Sequence, residues 1–159
     1  MNDAVRPTPT SVARIGHIAL MTPNLARLVQ FYVEIFGGTV TSSTGNPAWK
    51  CTIQLAPGTM LHLYEVPAET ARKHDDLPYD TGSINHFALE VESPQAFLTI
   101  RDRLMAGGYT DAAVMAAPYG YSVNVIDPDG LYLEVTLARP DAWEPPFRAT
   151  AFRPLPTQR

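Results

Sequence analysis

One short run of this chain occurs twice. Ile15-Gly-His-Ile-Ala-Leu20 returns as Ile84-Asn-His-Phe-Ala-Leu89, 69 positions later. Each copy leads through a turn and a proline, Thr22-Pro23 and Ser93-Pro94, into a segment of helical period. Each segment closes on a glycine pair, Gly37-Gly38 and Gly107-Gly108, now 70 positions apart. A drift of one residue over a whole unit marks a duplication, which constrains the fold more than any single motif. Two copies are too few for a solenoid. The expectation is a pseudo-symmetric pair of units, 13–66 and 82–137, within one domain at 13–137.

The elements of each unit read locally. Thr22 and Ser93 are N-cap types, with Pro23 and Pro94 at the first helical position, where a missing N–H costs nothing. Leu25, Leu28, Tyr32 and Ile35 make one helical face, as do Phe97, Ile100 and Leu104. Residues 50–55 and 59–66 alternate around an Ala56-Pro57-Gly58 turn. Residues 121–126 and 131–137 alternate around Asp127-Pro-Asp-Gly130. Short strands are expected near 39–42 and 112–115. Each unit is thus β-α-β-β-β, an α+β class. Residues 1–12 read as a flexible arm and 74–82 as a polar linker that includes His74. The tail, 138–159, carries Pro140, Pro145, Pro146, Pro154 and Pro156 and is expected to be irregular. Its Trp143, Phe147 and Phe152 are apolar enough to pack on the body or on a second subunit.

Composition narrows the function. The chain has 159 residues, 45% hydrophobic and 18% charged, which fits one folded domain and not a disordered segment. A net charge of −4 without a basic block argues against a nucleic-acid or anionic-membrane partner. No apolar run approaches a membrane span. The single cysteine, Cys51, forms no internal disulfide and reads as a small buried apolar residue, so a reducing cytoplasm is the expected location. The start of the chain lacks a signal-peptide pattern.

Side chains alternate faces along a strand. Opposite an apolar face, four predicted strands each carry one metal-capable side chain: His17, His62, His86 and Glu134. The repeat relates His17 to His86 and His62 to Glu134. A single histidine on a strand is most often a hydrogen-bonded surface residue, and a lone Glu134 reads as a solvent-facing charge. Four such residues in repeat phase point instead to a divalent metal. Neutral imidazole and carboxylate suit Fe, Mn, Co, Ni or Zn. Thr52 and Asn124, in equivalent strands, and Tyr64 and Tyr132, in phase with His62 and Glu134, are candidate substrate contacts.

Four segments resemble the vicinal oxygen chelate superfamily of glyoxalase I, extradiol dioxygenases, methylmalonyl-CoA epimerase and bleomycin- or fosfomycin-resistance proteins. They are Ile15-Gly-His17-Ile-Ala-Leu, then Phe31-Tyr32 ahead of Phe36-Gly37-Gly38, then Asn85-His86-Phe-Ala-Leu-Glu-Val91, and Asp127-Pro-Asp-Gly-Leu-Tyr-Leu-Glu134. The resemblance implies two paired βαβββ modules forming a cup-shaped, half-closed mixed sheet with helices outside, and one divalent ion inside. It implies metal ligands at His17, His62, His86 and Glu134. Many glyoxalase-like relatives have Glu where this chain has His62, and in extradiol enzymes a non-ligand acid/base histidine lies nearby.

Two reaction classes follow from that resemblance. In a lyase or isomerase, a small substrate binds through two neighbouring oxygens and a base moves a proton beside a carbonyl. Glu134 is the first candidate base and His62 the second. In an Fe(II) extradiol-type dioxygenase, His17, His86 and Glu134 form the triad and His62 the acid/base. Ring-cleaving relatives usually carry Tyr ten residues before the Glu ligand. This chain has Asn124 there, which leaves Tyr121 or Tyr132 as substitutes. A third class, metal-free drug-binding resistance proteins, typically lacks the ligand set. Members commonly pair their modules between subunits, so a homodimer with ligands from one chain or from two is expected.

Overall fold

The computed structural model describes residues 14–70, 84–140 and 143–151. The expected arm, the linker with His74, and Phe152, Pro154 and Pro156 of the tail lie outside those residues. The first unit runs β1 (Ile18–Thr22), α1 (Leu25–Phe36), β2 (Thr39–Gly45), β3 (Ala48–Ala56) and β4 (Thr59–Glu65). The second runs β5 (Phe87–Val91), α2 (Pro94–Gly107), β6 (Val114–Ala117), β7 (Gly120–Ile126) and β8 (Tyr132–Ala138). A further two-residue strand, β9 (Thr150–Ala151), follows.

The expected α+β class and duplicated units are present. Each unit builds its own mixed sheet, ordered β1-β4-β3-β2 in the first and β5-β8-β7-β6-β9 in the second. β1 lies parallel to β4, β5 parallel to β8, and the remaining neighbours within each unit are antiparallel. No ladder joins the two sheets among the described residues, so β1 and β5 are both edge strands.

What joins the units is their helical side. Phe31 of α1 meets Tyr109 edge-on, with ring centroids 4.7 Å apart. Arg103 of α2 donates to the carbonyls of Glu34 and Ile35, acceptors left over at the end of α1. Arg27 of α1 pairs with Asp129 in the turn between β7 and β8. In that turn the buried Asp127 accepts from the N–H groups of Asp129 and Leu131, both at 2.8 Å. Desolvation, and after it the facing Asp127 carboxylate, raises the buried Tyr32 phenol well above its ordinary pKa.

One face of each sheet is apolar and packs on its helix. Ile53, Leu61 and Leu63 meet Leu25, Leu28, Tyr32 and Ile35; Val123, Leu133 and Val135 meet Phe97 and Leu104. Burying such side chains contributes roughly 1.5–3 kcal/mol each. Gly37 and Gly108 cap the helices with φ of +71° and +73°, which a side chain would strain.

Two local expectations change. Ser93 caps α2 with Pro94 at the first position, as read. α1 is capped by Asn24, whose side chain accepts from Arg27 N, and Pro23 lies before the cap. Thr22 is instead buried and accepts from Asn24 N, while Glu65 Oε2 takes the Leu25 N–H. Part of the tail is also regular, since β9 adds a parallel strand to β6 through Met115↔Thr150. Trp143 stands edge-on to Tyr121 at 5.2 Å, and Phe147 lies 6.3 Å from Phe97, so the tail aromatics pack on the second unit.

Candidate metal centre

The register of each sheet places the site residues. In the first sheet Ala19 stands opposite His62, and His17 precedes Ala19 by two residues on the same face. In the second sheet Ala88 stands opposite Glu134, and His86 precedes Ala88 by two. The two pairs therefore occupy equivalent points of equivalent sheets, each on the face turned away from its helix. The duplication read at 69 positions holds at the level of individual cross-strand partners.

Within each pair the side chains meet. The His17 and His62 rings stack, with centroids 4.0 Å apart and planes at 14°. His86 Nε2 lies 3.5 Å from Glu134 Oε2. The pairs do not meet one another: among the described residues no three His, Cys, Asp or Glu side chains gather into one metal-holding group. The expected convergence of four ligands is thus not seen within the chain, where among the described residues the four side chains form two separate pairs, each referred to below as a half-site. The cause is the docking just described, which presses the helical faces together and leaves each ligand-bearing face outward.

The surroundings of the two pairs differ. His62 is held below its ordinary pKa by desolvation, then by His17 and by Lys50, which favours the neutral imidazole that a metal needs. His86 Nδ1 hydrogen-bonds Asn85 Oδ1 at 2.5 Å. With the proton on Nδ1 donated to that amide oxygen, Nε2 keeps its lone pair on the Glu134 side. The donor set, three imidazoles and a carboxylate, fits a borderline divalent ion.

Neighbouring strands supply the rest. Thr52 is buried directly opposite His62, and Lys50 stands opposite Tyr64 on the same face. Asn124 stands opposite Glu134. Tyr132 is half-buried, its ring 6.2 Å from that of His86. Asn124, Ile126 and Tyr132 floor a hollow of about 420 Å³ walled by residues 108–111. Thr52, Tyr64, Asn124 and Tyr132 therefore lie beside the half-sites. Tyr121 does not. It shares the parity of Val123 and Val125, is buried on the helical side against Trp143, and has no access to the ligand-bearing face. Cys51 is buried beneath the first sheet, where desolvation raises its thiol pKa, as a structural cysteine should be. Two residues were passed over in the sequence: Asn85, whose signal was its place next to His86, and Lys50, whose signal was its parity with Thr52.

The sequence matches the family model of the Glyoxalase/Bleomycin resistance protein/Dioxygenase superfamily over residues 14–135. Among solved structures, a glyoxylase/bleomycin resistance protein/dioxygenase domain from Frankia sp. EAN1pec is 22% identical with a TM-score of 0.66, covering 82% of this chain and 96% of that one. A lactoylglutathione lyase from Agrobacterium tumefaciens is 23% identical with a TM-score of 0.59, covering 80% and 96%. A genomically encoded fosfomycin resistance protein from Listeria monocytogenes is 17% identical with a TM-score of 0.62, covering 80% and 95%. At these identities the likeness is one of fold. No curated protein matches the chain. Among the described residues no helix is long and apolar enough to cross a membrane.

Proposed function

The chain belongs to the glyoxalase/bleomycin resistance protein/dioxygenase superfamily, and from that premise we propose that it is a divalent-metal-dependent enzyme working as a homodimer. His17 and His62 of one copy and His86 and Glu134 of the other hold the ion. The reaction is proton transfer, of the lyase or isomerase type, on a small substrate bound through two neighbouring oxygens.

The observation that carries this reading is the register. Two half-sites sit at equivalent points of two sheets, on faces that a single chain leaves outward. Three further features support pairing between copies. Among the described residues β1 and β5 are open edges, and open edges are templates for pairing. Ile15 and Ile84, repeat equivalents just ahead of those edges, are 74% and 73% exposed. The ligand-bearing face of the first sheet carries no carboxylate at its strand positions, whereas that of the second carries Glu90 and Glu134. A two-fold dimer that sets one face over the other brings no carboxylate against another at these positions and makes two identical sites.

A bound divalent ion supplies Lewis-acid polarisation of the two substrate oxygens. The protein's own groups do the remaining work. Asn85 fixes the His86 tautomer. Thr52 and Asn124, opposite His62 and Glu134, hydrogen-bond the substrate, and Tyr64 and Tyr132 flank it. Glu134 takes the proton from the carbon beside the carbonyl and returns it, with His62 as the second acceptor. General acid–base help of this kind is worth about 10²–10⁴-fold.

Metal analysis of protein purified without oxygen, followed by turnover and oxygen-uptake assays on 2-oxoaldehydes and catechols, tests the proposal. About one ion per chain and turnover without oxygen uptake are expected. Oxygen consumption with catechols moves the reaction to the dioxygenase class, and a protein that takes up no divalent ion overturns the proposal.

A further inference from the structure

Lys50 is the only lysine or arginine at the strand positions of the two ligand-bearing faces among the described residues. Four other described cations are engaged in structural contacts. Arg27 pairs with Asp129, Arg101 donates to the Ala112 carbonyl, Arg103 donates to the end of α1, and Arg139 donates to the Ala117 carbonyl. Lys50 Nζ stands over the Tyr64 ring, 5.2 Å from its centroid, and no carboxylate pairs with it among the described residues. Trp49, with its ring 6.3 Å from that of Tyr64, flanks the same ring. A cation over an aromatic face is held in place while its remaining N–H groups stay free to donate.

The position of this cation sets a distance. Lys50 lies opposite Tyr64, and Thr52 lies opposite His62. Two residues along a strand span roughly 7 Å. With Nζ held over the Tyr64 ring, an anion on Lys50 sits toward Tyr64, the neighbour two residues along β4 from His62, and so is a group of the substrate other than the two oxygens at the metal.

We propose that Lys50, fixed over Tyr64 on the face that bears His17 and His62, binds a carboxylate of the substrate, and that this carboxylate is separated by several bonds from the two oxygens at the metal. The inference rests on the metal centre proposed above and extends it to the substrate class: an anionic compound with a remote carboxylate, not a neutral aldehyde or diol. Lys50 binds and orients; it takes no part in proton transfer.

The test uses full-length protein loaded with zinc, which is redox-inert, under nitrogen. Two probes with the same pair of neighbouring oxygens are compared by calorimetry: catechol, and 3,4-dihydroxybenzoate with its carboxylate across the ring. Wild type is expected to bind the dihydroxybenzoate about tenfold more tightly than catechol, the scale of one charge-assisted hydrogen bond. Lys50→Met, close in length and apolar, is expected to abolish that preference while catechol still binds and zinc stays at about one ion per chain. Lys50→Arg, which keeps the charge, is expected to restore most of it. A Lys50→Met variant that keeps the preference overturns the inference and leaves the metal centre standing. So does one that weakens the dimer without changing the preference, which assigns Lys50 to pairing with Glu90 of the second copy. Failure of wild type to hold zinc overturns both proposals together.

Discussion

Replacing Asn85 by alanine is expected to weaken divalent-metal binding about 10–100-fold, although Asn85 is not itself a ligand. The side chain of His86 is exposed over 39% of its area, so packing alone does not fix its ring. The 2.5 Å contact from Nδ1 to Asn85 Oδ1 holds the ring at one nitrogen, while Glu134 faces the other. Without that acceptor the ring samples both tautomers and several rotamers, and only a fraction present Nε2 beside Glu134. The expected loss corresponds to roughly 1.4–2.7 kcal/mol of binding free energy. Asn85→Asp keeps an oxygen acceptor and is expected to retain wild-type affinity or better. The assay is zinc titration against a chelating indicator, with the urea midpoint as a control for folding. If Asn85→Ala binds zinc as wild type does while folding normally, the hydrogen bond does not prepare the ligand and this reasoning fails.

Three further outcomes are expected. His86→Ala removes stoichiometric metal, and metal analysis that finds about one ion per chain in that variant excludes His86 as an essential ligand. Asp127→Ala, which orphans the N–H groups of Asp129 and Leu131, costs about 2–3 kcal/mol in urea unfolding, whereas Asp127→Asn keeps the acceptor. Burial raises the Asp127 carboxyl above its ordinary 3.8, so the folded state holds that proton more tightly than the unfolded state. The stability it contributes is full below 3.8 and is lost as pH rises through the folded-state value. Asp127→Asn is therefore at least as stable as wild type at pH 7, with an advantage that shrinks on acidification; an equal loss in the Asn and Ala variants contradicts this. Gly120→Ala costs about 3 kcal/mol or more, because its Cβ falls 2.0 Å from the Leu137 carbonyl oxygen at a φ of +156°; an unchanged urea midpoint contradicts it.

Much of this molecule is legible in its sequence because duplication and alternation are local signals. The parity that sets His62 opposite an apolar face survives in the ladder as Thr52↔His62, and its copy as Asn124↔Glu134. Tyr121 shows the same rule from the other side. It is out of phase with Asn124, and its parity with Val123 already marked it as core. The α1 cap was not legible, since Thr22 and Asn24 are both good caps. The choice is made by Glu65, 40 residues on, which takes the first free N–H. Nor was the separation of the two sheets. It depends on contacts such as Arg103 with the Glu34 carbonyl, 69 residues apart, which leave no periodic trace. The strand β9 is invisible for a related reason: two residues near several prolines become a strand only because β6 offers an open edge.

The division of the metal centre between two copies is tested most directly by mixing subunits. Full-length chains carrying His62→Ala and His86→Ala are co-expressed with different tags, and the mixed dimer is purified. In a site shared between copies, the mixed dimer pairs the intact His17–His62 half of one chain with the intact His86–Glu134 half of the other, while each single-variant dimer has no complete site. About one divalent ion per mixed dimer, against none in either single-variant dimer, is the predicted result. A mixed dimer as empty as its parents would place all four ligands within one chain and contradict the account.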